Sequence, residues 1–115
     1  MNTRVLLLTI GFIACLSLRA AYAEQPAVSY AGGDGSSLEK AVIIKAPDEV
    51  SGLNAEQTYI SSHYGRYKTV IQGLELKKEH RFDIITFKTS DGKEHTLYFD
   101  ITDFYGKGFE PSKNS

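Results

Sequence analysis

Asp91-Gly92 separates two runs rich in alternating apolar residues, Arg81–Thr89 and Glu94–Thr102, and this constrains the fold more than any other feature of the chain. Asp-Gly between such runs is the strongest short-range hairpin signal, because a two-residue type I′ turn needs positive φ at both central positions. A third strand is predicted at Lys68–Leu76, and a short apolar run at Ala41–Ala46, closed by Pro47, predicts another. Between them a helix is predicted over Asn54–Tyr64. Asn54 and Gln57 stand at capping-box spacing, Gly65 supplies a left-handed stop, and Val50, Leu53, Ile60 and Tyr64 fall on one broad face. The order β-α-β-β-β predicts an α+β fold, an antiparallel sheet of about four strands with one helix packed on one face.

A two-residue turn at Asp91-Gly92 fixes the register of the last two strands. Phe82 then faces Ile101, Ile84 faces Phe99 and Thr86 faces Leu97, an apolar face assigned to the core beneath the helix. A three-residue loop at Lys77-Lys78-Glu79 sets Leu74 opposite Phe82 and Gly73 opposite Asp83, and adds Val70 and Leu76 to the core face. The other face carries Ile71, Ile85, Phe87 and Tyr98, a row of large apolar side chains that marks a candidate partner-binding surface. It also sets Asp83 directly opposite Asp100, and like charges so placed repel unless they share a proton or hold a cation. With Asp103 they form a candidate carboxylate cluster; the alternative is a pair solvated or bridged by Arg81.

The front of the chain reads as an address. Arg4 precedes an apolar run, Val5–Leu18, too short to cross a ~30 Å hydrocarbon core comfortably. Arg19 and Ala20-Ala21-Tyr22-Ala23 follow, with Ala21 and Ala23 supplying the small-x-small cleavage pattern of a secretory signal peptide. Cleavage after Ala23 is expected to deliver the protein to the periplasm or the exterior. Cys15, after Phe12-Ile13-Ala14, offers the alternative of a lipoprotein anchored to the membrane, disfavoured because the apolar run continues through Leu16 and Leu18. The expected organisation is therefore a signal peptide over 1–23, a leader and glycine-rich loop over 24–40, one domain over 41–105 and a flexible tail over 106–115.

Removing 23 residues from the chain's 115 leaves 92, enough for one modest core. Hydrophobic residues at 42% and charged residues at 23% place the chain among globular proteins rather than disordered ones. Loss of Arg4 and Arg19 takes the 13 cations to 11 against 14 carboxylates, a net charge of −3 that argues against a nucleic-acid partner despite the aromatic–basic segment Tyr64-Gly65-Arg66-Tyr67-Lys68. The single cysteine excludes an internal disulfide framework and a multi-cysteine metal site.

No motif for a catalytic centre stands out. Gly32-Gly33-Asp34-Gly35-Ser36-Ser37 lacks the following Lys-Ser or Lys-Thr of a phosphate-binding loop and the spaced acids of a calcium loop, and reads as a structural turn. His63, His80 and His95 have no i, i+4 partner, and no Gly-x-Ser-x-Gly occurs. No catalytic residue, metal site or cofactor is assigned.

The segments Gly32–Val42 and Tyr98–Gly106 together resemble those of small secreted bacterial proteins that share a glycine-rich opening and an aromatic–acidic closing motif. The resemblance implies a single secreted domain and carries no activity or site residue with it. The expectation is a non-enzymatic binding or accessory module, inhibitor-like or immunity-like, whose partner is another envelope or secreted protein or a second copy. The alternative is a small hydrolase or ligand-binding protein using Asp83, Asp100 and Asp103.

Overall fold

The computed structural model describes residues 28–108. The segment expected to be a signal peptide, with Cys15 and Ala23, and the residues from Phe109 onward lie outside these residues. Six elements follow in order: β1 (Ser29–Gly32), β2 (Val42–Lys45), α1 (Glu49–Tyr64), β3 (Tyr67–Lys77), β4 (His80–Thr89) and β5 (Glu94–Asp100). They form one five-stranded sheet in the order β1-β2-β5-β4-β3, with α1 on one face, an α+β fold. The sheet is mixed: β2 and β5 run parallel, and the other neighbours are antiparallel. The extra strand is β1, in the segment expected to be a leader and loop; with Gly32 at its end it carries little β signal in its four residues.

The register of β4 and β5 differs by one residue from the sequence expectation. Ser90-Asp91-Gly92 form a three-residue loop, in which Gly92 N–H donates to Thr89 O at 2.9 Å and Thr89 N–H donates to Lys93 O at 3.0 Å. Gly92 alone takes positive φ, 82°, so this is a type I turn closed by a left-handed glycine rather than a type I′ turn. The Asp91 carboxylate accepts from the Thr89 hydroxyl at 2.5 Å and from Lys93 N–H at 3.1 Å, which holds the wider loop. Phe82 therefore faces Asp100, Asp83 faces Phe99 and Ile84 faces Tyr98. A one-residue slip turns every β4 side chain to the opposite face relative to β5.

The consequence is a different core. Ile85 and Phe87, expected on an uncovered face, are buried under α1 with Val42 and Ile44 of β2 and Leu97 and Phe99 of β5. Phe82, Ile84 and Thr86 lie on the far face, where Phe82 is nonetheless buried. At the other hairpin the turn is the two residues Lys78-Glu79, with Lys78 at φ 56°, so that Leu74 stands opposite Asp83 and Gly73 opposite Ile84. A bulge at Val70 interrupts this pairing between Thr69 and Ile71.

The helix also starts earlier and faces differently. Asp48, not Asn54, is its N-cap, with the carboxylate accepting from Ser51 N–H at 2.7 Å. That bond holds the Asp48 carboxyl below its usual range. The buried row is Gly52, Ala55, Glu56 and Ile60, whereas Val50 is 70% exposed. Gly65 closes the helix at φ 77°, as expected. Tyr30 of β1 donates its hydroxyl to Ala55 O at 2.8 Å, tying the added strand to the helix. The tail expected to begin at Gly106 is anchored at least to Lys107, whose carbonyl accepts from Glu49 N–H at 3.0 Å.

Candidate functional site

The three sequence-predicted carboxylates do not converge. Asp83 projects from β4 toward α1, because it pairs with Phe99 of the core face. Asp100 lies on the far face opposite Phe82, where His80 Nδ1 sits 3.0 Å from its Oδ2 and Thr102 donates both its backbone N–H and its hydroxyl to Oδ1. Asp103 accepts from Ala46 N–H at 3.1 Å and pairs with Lys107 at 3.5 Å. Each of these last two is occupied in holding chain segments together. Asp100 pins the start of the closing turns to β4, and Asp103 pins them to the end of β2.

Asp83 instead meets Glu56, which the sequence analysis did not single out. Glu56 is 1% exposed, and its carboxyl is directed at Asp83. Desolvation, then the hydrogen bond to Asp83 and the repulsion of its charge, push the Glu56 pKa up to about 10. Glu56 is thus protonated at neutral pH and donates to Asp83. Gln72 of β3 adds a second donor, Nε2 to Asp83 Oδ2 at 2.7 Å. Glu56 Oε1 has no hydrogen-bond partner although it is buried. A signal for Glu56 existed: it stands four residues from both Gly52 and Ile60, on the line of small and apolar residues that packs on the sheet.

Asp83 floors a cleft of about 230 Å³ between the first half of α1 and β3. Leu53, Leu74, Phe104 and Tyr105 supply apolar walls, with Gln72 beside the carboxyl. Tyr105 is itself covered by the Arg81 guanidinium, 4.5 Å from its ring centre, which places that cation on the aromatic rim. Among the described residues no lysine or arginine pairs with Asp83.

The apolar row expected on the uncovered face is divided. Ile71 (66% exposed) and half-buried Tyr98 remain on the far face, now with Ile84 and Ile43 as neighbours in place of Ile85 and Phe87. The most exposed apolar element is β3. It is an edge strand of eleven residues, paired only with β4, and shows Val70, Ile71, Leu74 and Leu76 to solvent. Lys68 lies directly opposite Lys88, and Arg66 adjoins them at one end of this edge.

Among the described residues, no group of three His, Cys, Asp or Glu side chains could hold a metal ion, and no helix is long and apolar enough to cross a membrane. No family model, no curated protein and no solved structure matches the chain.

Proposed function

We propose that this protein is an exported, non-enzymatic binding module that accepts an extended segment of another envelope or secreted protein along the free edge of β3. The observation that carries this reading is the edge itself: eleven residues long, exposed along its length, and apolar on both faces at its centre. Such a strand presents unpaired N–H and C=O groups, and an added strand gains affinity from the backbone and specificity from alternate side chains. β1, the other edge, has only four residues and ends in glycine, which makes it a poor template. Ile71 on the far face and Leu74 and Leu76 on the helix face call for apolar residues on both faces of the incoming segment. Arg66, Lys68 and Lys88 call for a carboxylate at the end that lies beside them.

Export rests on the Val5–Leu18 run and the Ala-x-Ala boundary. Processed protein beginning at Glu24 supports it, whereas an acylated chain beginning at Cys15 would place the module on a membrane surface.

The binding reading is tested by affinity capture from envelope extract with wild-type protein, an Ile71→Lys/Leu74→Lys variant and a Val50→Lys control. All three substituted sites are exposed, so thermal unfolding should be nearly unchanged. Partners that bind the wild type and the control but not the β3 variant, and that slow exchange of β3 amides, support the proposal. Identical capture by all three, with β3 exchange unaltered, refutes it. Concentration-dependent sedimentation abolished by the β3 variant identifies a second copy as the occupant instead.

A further inference from the structure

We infer that the cleft between α1 and β3 binds a primary alkylammonium group, the ammonium resting on Asp83 and the methylenes lying along Leu53, Leu74 and Phe104. This goes beyond the edge-strand reading and does not depend on it. Three observations carry it. The floor of the cleft is a carboxyl that no lysine or arginine among the described residues neutralises. Gln72 spends its Nε2 on Asp83 and keeps its carbonyl oxygen for a donor. The walls are apolar, the environment that a methylene stem takes up while its charged head stays on polar groups.

The same geometry selects among cations. A guanidinium needs both carboxylate oxygens in one plane for its fork, but Gln72 occupies Asp83 Oδ2 and Glu56 also donates to this carboxyl. A compact ammonium with three rotatable donors has no such requirement. Glu49 at the cleft mouth adds a second carboxylate of the right sign. The cleft, about 230 Å³ and open to solvent, accommodates a stem of lysine length.

The test is a titration of the isotope-labelled processed protein, followed by amide shifts, with Nα-acetyl-lysine amide as the probe. Its Nε-acetylated counterpart is the uncharged control. Saturable shifts at Leu53, Gln72 and Asp83 are expected, with binding at least tenfold weaker for the Nε-acetylated compound. Asp83→Asn should weaken the lysine compound at least tenfold. Leu53→Trp, at a 37% exposed helix position, should fill the cleft and do the same while leaving the unfolding midpoint unchanged. If Asp83→Asn does not fold, Leu53→Trp decides. Absence of saturable shifts at these residues, equal binding of the acetylated control, or wild-type affinity in Leu53→Trp would each overturn the inference. Butylamine and an extended peptide with one central lysine identify the source. Equal affinities mark a free amine, and a peptide at least tenfold tighter marks a polypeptide side chain; either result upholds the site.

Discussion

Glu56 is a carboxyl that folding keeps neutral, first by removing it from water and then by setting it against Asp83. Its pKa moves from 4.5 to about 10, so between those values the folded chain holds a proton that the unfolded chain has lost. Stability from this group is therefore fully present below about pH 4.5 and declines as pH rises toward 10. Glu56→Gln keeps the shape and the donor to Asp83 but cannot ionise. It should gain about 2–4 kcal/mol over the wild type at pH 8 and nothing at pH 4, read from denaturant midpoints at the two values. Wild-type and variant curves that stay parallel from pH 4 to pH 8 would show that Glu56 ionises equally in both states. In the sequence Glu56 shares a helix line with Gly52 and Ile60, but its burial is decided by which face of α1 turns inward. Val50 and Leu53 suggested one face. The close fit of Gly52 and Ala55 against other elements chose another.

At the scale of elements, the sequence showed the helix, its glycine stop and four of the five strands, because each is marked by local periodicity or a local breaker. It missed the register, which hangs on one loop. Asp91-Gly92 permits a two-residue turn, but Thr89 and Asp91 hold a wider one through side-chain bonds that a dipeptide rule does not see. The partner-binding row and the Asp83–Asp100 pair both rested on that register and moved with it, whereas the exposure of Ile71 did not. Two substitutions separate the registers. Phe87→Ala, at a fully buried ring, should cost about 3–5 kcal/mol. Ile84→Thr, at a half-buried far-face position, should cost about 1 kcal/mol or less. Reversed costs in chemical denaturation would restore the two-residue turn. In the same hairpin Gly92→Ala meets no atom within 4 Å, so its cost, about 1 kcal/mol, should come from the positive φ alone.

Across the whole molecule, β5 is the strand on which distant parts of the chain meet. It takes β4 on one side and, in parallel, β2 on the other, and the turns that follow it carry Phe104 back beneath the start of α1. The parallel pairing with β2 and the return of Phe104 to α1 are non-local, which is why a residue-by-residue reading of the sequence reaches the β4–β5 hairpin but not these. Phe104 is fully buried, and a Cβ added at Gly52 would fall inside contact distance of its ring. The glycine that looks like a flaw in the helix is thus the space that lets the closing turns dock. Phe104→Ala should cost about 3–5 kcal/mol, a large share of what a domain of this size has. Gly52→Ala alone should destabilise by about 1–3 kcal/mol through overpacking, even though alanine favours a helix by about 1 kcal/mol. Once the ring is gone the clash is gone, so Gly52→Ala in the Phe104→Ala background should be neutral or stabilising by up to about 1 kcal/mol. The double-mutant cycle, measured by chemical denaturation, should show a coupling of at least about 1 kcal/mol. Strict additivity would mean that Phe104 does not rest on Gly52 and that the closing turns are held by the backbone bond from Glu49 to Lys107 and the Asp103 bond to Ala46 rather than by this contact.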